Sequence, residues 1–193
     1  MLVALAVLSA CGPDEPAPEH VTMTTTAGVI EIEVYTDRAP LTAANFLNYV
    51  DDGHLDGASF YRAVSPANDN GTPVISVIQG GIGAAPAPFP PIAHETTEQT
   101  GLLHLDGTIS MARGAVGTAT SEFFICIGAQ PALDHGALRN PDGQGFAAFA
   151  RVIDGLDVVR TIHASPANAP TNDQYVRGQI LEEPVVIEAV RRR

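Results

Sequence analysis

Short alternations of apolar and polar residues run through most of this chain, and they limit what it can fold into. In "GVIEIEVY" (28–35), Ile30, Ile32 and Val34 stand against Val29, Glu31, Glu33 and Tyr35. Side chains on a strand point to opposite faces in turn, so this period of two marks a half-buried strand. Residues 23–26 supply a hairpin partner across Ala27-Gly28. Further strands are expected at 58–64, 74–79, 107–113, 121–127, 146–152 and 184–190. The segment "TSEFFICIG" is the most pointed of these: Phe123, Ile125 and Ile127 share one face, and Glu122, Phe124 and Cys126 share the other. Helical spacing occurs twice. Ala43, Phe46, Leu47 and Val50 recur at that period, with Pro40 suited to a first turn and Gly53 beyond the end. Residues 154–164 fit a second helix, with Leu156, Val159 and His163 on one side. Many short strands with only two helices imply a mainly β chain, closed as an antiparallel barrel with the helices over its ends. Long loops at 80–100 and 129–145 on so stiff a frame are where a site is expected.

The 193 residues, 45% of them hydrophobic, suffice for one domain with a sizeable core. The formal net charge is −12, and all ten basic residues are arginines. Phosphates would be repelled by such a chain, which argues against nucleic acid as a partner. The arginines at 191–193 read as a solvated tail.

The N-terminal "MLVALAVLSAC" is an apolar run shorter than the roughly 20 residues a bilayer span needs. Leu8-Ser9-Ala10-Cys11 resembles the lipobox of bacterial lipoproteins, although no basic residue precedes the run. That resemblance implies a signal segment at 1–11, lipid attachment at Cys11, a flexible tether at 12–20 and a folded domain at 21–193. Acyl chains would hold the protein at a bacterial cell envelope, on its periplasmic or extracytoplasmic face. Cys126 would then be the one remaining thiol, leaving no intrachain disulfide.

Six segments, in order, resemble the signatures of cyclophilins, the peptidyl-prolyl cis/trans isomerases: "FYRAV" (60–64), "VIQGG" (77–81), "GTISMAR" (107–113), "SEFFICIG" (121–128), "LDHG" (133–136) and "FAAFARV" (146–152). With the helix "TAANFLNYV" (42–50) the likeness spans residues 22–190. It implies an eight-stranded closed barrel capped by two α-helices, the strand count that periodicity gives. It also implies proline-containing polypeptides as substrates, a role in folding exported proteins, and a monomer that needs no cofactor or metal.

Isomerisation breaks no bond. The amide C–N bond has partial double-bond character, with a barrier near ~20 kcal/mol. A donor aimed at the prolyl nitrogen helps because its lone pair localises only as the bond twists. The resemblance assigns that role to Arg62, with Gln79 as the catalytic partner that bonds the substrate backbone. Alternation puts Phe60, Arg62 and Val64 on one strand face. The implied substrate-binding positions are Phe60, Met111, Ala112, Glu122, Phe124, Leu133 and Phe146, with Phe124 as the floor under the proline ring.

Several positions depart from the family pattern. Ala132 stands where many eukaryotic members carry the tryptophan that contacts cyclosporin, Phe146 where histidine is usual, and Arg113 where asparagine is common. Ser76 occupies the expected place of a groove phenylalanine, with Ile75 as its substitute if the register shifts. Glu122 replaces glutamine and adds an acceptor that cannot donate, with Arg62 or Arg113 as potential partners. The loop 65–76 is longer than in compact members. The six histidines lack paired metal-ligand spacing, "GGIG" (80–83) and "NPDGQG" (140–145) read as turns, and no G-x-S-x-G elbow exists. A proline-binding chaperone or recognition module with little catalysis is the alternative; it would keep the apolar pocket without needing Arg62.

Overall fold

The computed structural model describes residues 17–193. Cys11, the signal segment and most of the expected tether lie outside the described residues.

Eight antiparallel strands close into a barrel in the order β1-β2-β7-β5-β6-β4-β3-β8. They are β1 (Glu19–Thr25), β2 (Gly28–Val34), β3 (Ser59–Val64), β4 (Val77–Gly81), β5 (Thr108–Met111), β6 (Phe123–Cys126), β7 (Ala147–Asp154) and β8 (Ile180–Arg192). The fold class is the expected one, with three adjustments. β1 starts inside the expected tether, pairing Glu19 with Val34 and His20 with Glu33. The C-terminal arginines are no free tail: β8 carries Arg191 and Arg192 against β1. Each is paired, Arg191 with Asp56, Arg192 with Asp51, and Arg193 with Glu31. A third helix, α2 (Thr97–Thr100), lies in the 80–100 loop between α1 (Pro40–Asp51) and α3 (Leu156–His163). Its start was readable as a capping box: Thr96 accepts from the Gln99 amide while Gln99 accepts from Thr96.

The barrel interior is filled by the inward half of each alternation, including Val21, Met23, Ile30, Ile32, Phe60, Phe123 and Ile125. Phe46 of α1 plugs one end, with ring centroids 5.8 Å from Phe123 and 5.1 Å from Phe149. Val159 and Ile162 of α3 are buried on the other helix. Gly28 is needed there, because a Cβ on it would lie 2.7 Å from Val158. A second apolar cluster lies outside the barrel: Val64, Ile75, Val77, Phe124, Cys126 and Leu133, flanked by Ala112, Ala132 and Phe146. The alternation of β6 separates the two, Phe123 and Ile125 facing in, Phe124 and Cys126 facing out.

β3 breaks its own alternation. Phe60 pairs with Gly80 and Arg62 with Gln79, so two steps on β3 match one on β4 and Tyr61 is the extra residue of a bulge. Phe60 and Ala63 both face the interior, three positions apart, while Val64 joins the outer cluster. The shared face expected for Phe60, Arg62 and Val64 therefore does not exist.

The N-terminus of α1 has no side-chain cap of its own at Ala39. Glu95, from the distant loop, serves instead: its carboxylate accepts from the Leu41 amide (3.2 Å), the Thr42 amide (2.7 Å) and the Thr42 hydroxyl (2.6 Å). These satisfy orphan donors and place negative charge at the positive end of the helix. Glu95→Ala is expected to cost about 1–2 kcal/mol. A lower denaturant midpoint with an unchanged slope would show it; an unshifted midpoint would count against the cap.

Candidate active site

The outer cluster forms the floor of a groove of about 430 Å³. Val77 and Gln79 come from β4, Phe124 from β6, and Leu133 from the single turn at Pro131–Leu133. Phe146 is fixed beside them by its amide, which donates to the Leu133 carbonyl at 2.9 Å. Gly145 permits this approach, since a Cβ there would lie 2.6 Å from that same oxygen. The Phe124 and Phe146 rings meet edge-to-face, 5.4 Å between centroids. Ile75 also lines the groove, while Ser76 turns away to meet His163 at 3.1 Å.

Beneath Phe124 lies a buried polar prop. His104 stacks on its ring at 5.9 Å and bonds Asp134 (2.7 Å) and the Ser110 hydroxyl (3.0 Å). The three residue types suggest a nucleophile, but Ser110 is 0% exposed, so no substrate can reach it. Its place is structural, holding the groove floor.

Three arginines stand around this apolar floor: Arg62, Arg113 and Arg139. Arg113 is held by Asp142 at 2.7 Å and stacks on Phe146 at 5.4 Å. Arg139 pairs with buried Asp69 at 2.7 Å and donates to the Tyr175 hydroxyl at 2.9 Å. Arg62 differs. Its Nη1 donates to Gln79 Oε1 at 2.8 Å, and its Nε and Nη2 to Gln179 Oε1 at 2.9 and 2.6 Å. Its guanidinium also lies 5.5 Å from the centre of the Tyr175 ring. Among the described residues it is the one groove arginine with no carboxylate partner. Burial lowers its pKa below the usual arginine value, yet so strong a base stays charged at neutral pH.

The structure brings Arg62, Gln79, Ala112, Phe124, Leu133 and Phe146 together around one groove. Three expected substrate-binding residues are not on its wall. Phe60 is 0% and Met111 2% exposed, and both pack inside the barrel. Phe60 stays on the inward alternation before the bulge, against Phe123 at 5.7 Å. Met111 pairs with Phe123 and Ala147 on the inward side. Glu122 is occupied elsewhere: it accepts from the Tyr61 hydroxyl, the Gly83 amide (3.0 Å) and the Ser121 hydroxyl (3.2 Å), and pairs with neither Arg62 nor Arg113.

Sequence reasoning missed Gln179, Tyr175, Arg139 and Asn140. No local pattern marks them, because the loop 65–76 and the segment before β8 meet only in the folded chain. Asn68 joins the two by donating to the Gly178 carbonyl at 2.9 Å, and Asn70 by donating to the Arg177 carbonyl at 2.9 Å. Asn140 lines the groove, and its Nδ2 is buried without a hydrogen-bond partner. Among the described residues, no cluster of three His, Cys, Asp or Glu side chains is placed to hold a metal.

Comparison with known proteins agrees with this geometry. A family model for the cyclophilin type peptidyl-prolyl cis-trans isomerase/CLD matches residues 20–191. A peptidyl-prolyl cis-trans isomerase of Streptomyces antibioticus is 36% identical over 177 residues, covering 89% of this chain and 96% of that protein. Peptidyl-prolyl cis-trans isomerase A of Dickeya dadantii is 32% identical over 176 residues, covering 89% and 83%. In fold, the chain is similar to a Cryptosporidium parvum cyclophilin type isomerase crystallised in the presence of the dipeptide Ala-Pro. The TM-score is 0.66 at 19% sequence identity, over 89% of this chain and 96% of that one.

The Asp69–Arg139 pair gives the groove wall a pH dependence. Burial pushes the Asp69 carboxyl up, but Arg139 and the Gly71 and Ile75 amides outweigh it, so its pKa lies below the ordinary value. A carboxyl depressed in the folded state stabilises above its unfolded pKa, and that contribution fades as pH falls through the folded pKa. The window therefore lies below about pH 4. Asp69→Asn is expected to destabilise at pH 7 and to flatten the loss of stability on acidification. Chemical denaturation between pH 7 and pH 2 checks both; an acid limb as steep as wild type would refute the assignment.

Proposed function

The chain belongs to the cyclophilin-type peptidyl-prolyl cis-trans isomerase family, and from that premise we propose how its groove turns an X–Pro bond and where in the cell it does so. The proline ring seats on Phe124, between Leu133, Val77, Ile75 and Phe146, which needs only an apolar surface of the right shape. Arg62 stands at the edge of that seat. A guanidinium carries five N–H donors, and the two glutamines engage three of them. One N–H on each Nη is left for substrate. As the C–N bond twists, its lone pair returns to the prolyl nitrogen, and Arg62 donates to it more strongly than to the planar ground state. That difference lowers the barrier. Because Gln79 and Gln179 are neutral, they hold the guanidinium without cancelling its charge. This uncompensated, oriented cation beside an apolar seat is the observation that carries the reading.

Proline-containing polypeptides are the substrate class, supported by the Ala-Pro dipeptide used with the Cryptosporidium relative. The clients proposed are exported proteins, and the site of action is a bacterial cell envelope, on its periplasmic or extracytoplasmic face, with Cys11 lipidated and the protein a monomer. The support is the Leu8-Ser9-Ala10-Cys11 motif followed by an acidic, proline-rich stretch.

The cis-to-trans rate of an Ala-Pro tetrapeptide, wild type beside Arg62→Ala, tests the chemistry. Wild type is expected to accelerate it, and Arg62→Ala to lose on the order of 10²-fold while still binding peptide. Full activity in Arg62→Ala would remove that residue from the mechanism. Binding without acceleration in wild type would make the groove a recognition module. For the location, Cys11→Ala should move the protein from the membrane to the soluble fraction; a soluble wild type would refute anchoring.

A further inference from the structure

We propose that Glu122 is a positioning residue for Arg62, acting through Tyr61 and Gln79 without touching the groove. This rests on the reading of Arg62 as the donor to the prolyl nitrogen. The four side chains form one hydrogen-bonded line. Glu122 Oε2 accepts from the Tyr61 hydroxyl, Tyr61 Oη accepts from Gln79 Nε2 at 2.8 Å, and Gln79 Oε1 accepts from Arg62 Nη1 at 2.8 Å. On the far side Gln179 Oε1 takes two more Arg62 donors, while its own Nε2 is tied to the Asn68 carbonyl at 2.8 Å.

The direction of this line follows from its end. An ionised carboxylate only accepts, so the Tyr61 proton must point at Glu122. Burial, and next the Glu122 carboxylate, push the Tyr61 pKa well above the usual phenol value, so that proton stays in place. The Tyr61 oxygen then has only lone pairs to offer Gln79, which must present Nε2 to it. Gln79 Oε1 is thereby turned to Arg62. A glutamine at 122 would impose no such order. Its own amide could donate to Tyr61, Tyr61 could donate to Gln79 Oε1, and Gln79 would present Nε2 to a guanidinium that has nothing to accept it. Glu122 forbids that reversed line.

The carboxylate is built in place. Gly83 and Ser121 donate to Oε1, and a Cβ on Gly81 would lie 2.5 Å from the same atom, so only glycine leaves it room. The arrangement also resolves a conflict. A carboxylate in contact with Arg62 would orient it but neutralise it. Two neutral side chains between them transmit the orientation and keep the cation free for substrate.

The test is a double-mutant cycle on the full chain, measuring kcat and KM for an Ala-Pro tetrapeptide together with the thermal midpoint. Glu122→Gln and Tyr61→Phe are each expected to lower kcat by about 3–10-fold with KM within about twofold, and the double variant to be no worse than the worse single one. Wild-type kcat in Glu122→Gln, or losses that multiply in the double variant, would overturn the proposal. So would a lower thermal midpoint with kcat unchanged, the mark of a merely structural contact. Arg62→Ala in the same assay separates the two claims: if it keeps full activity, the donor assignment fails; if it loses activity while Glu122→Gln does not, only the relay fails.

Discussion

One extra residue in β3 governs the chemistry of this barrel. With regular alternation, Arg62 would follow Phe60 into an interior where, among the described residues, no carboxylate is buried to meet it, at a prohibitive desolvation cost. The bulge at Tyr61 lets Phe60 and Ala63 both face inward and turns Arg62 to the outer cluster. It also leaves Tyr61 beside Glu122 on the outer side. A shift of one residue thus separates a core aromatic from a groove cation and inserts the phenol that links that cation, through Gln79, to a carboxylate.

Around Arg62, the contrast between charged and neutral partners divides the labour. Arg113 and Arg139 have carboxylate partners and shape the groove walls, clamping Phe146 and supporting Tyr175. Arg62 is oriented by amide oxygens and keeps its field for a ligand. An overall net charge of −12 says nothing of this local pattern. What matters for the reaction is where a cation sits, how it is aimed and what does not cancel it. Below the floor, the His104–Asp134–Ser110 set shows the converse: residue types associated with catalysis, bonded to one another, with His104 and Ser110 buried and closed to substrate.

Much of the fold could be read along the chain, because strand alternation and helical spacing are local consequences of backbone geometry. All eight strands and both longer helices overlap the ranges those periods give, and the two faces of β6 divide core from groove as the pattern of residues 121–127 required. Errors came where a local rule was interrupted or a partner lay far away. The bulge upset the face assigned to Phe60 and Arg62. The resemblance put Met111 on the groove, whereas its strand pairings turn it inward. Glu122 looked like a substrate contact, since its own strand face does look outward; a tyrosine displaced by the bulge took its carboxylate first.

The sequence by itself determined the class of barrel through its periods, and its resemblance to the family singled out Phe124, Leu133, Phe146, Arg62 and Gln79, which the fold gathers around one groove. Tertiary structure alone decided how Arg62 is held. Gln179 lies 117 positions from it and Glu122 acts through two intervening side chains. Such contacts exist only once the barrel closes, and no local spacing can encode which way an amide faces.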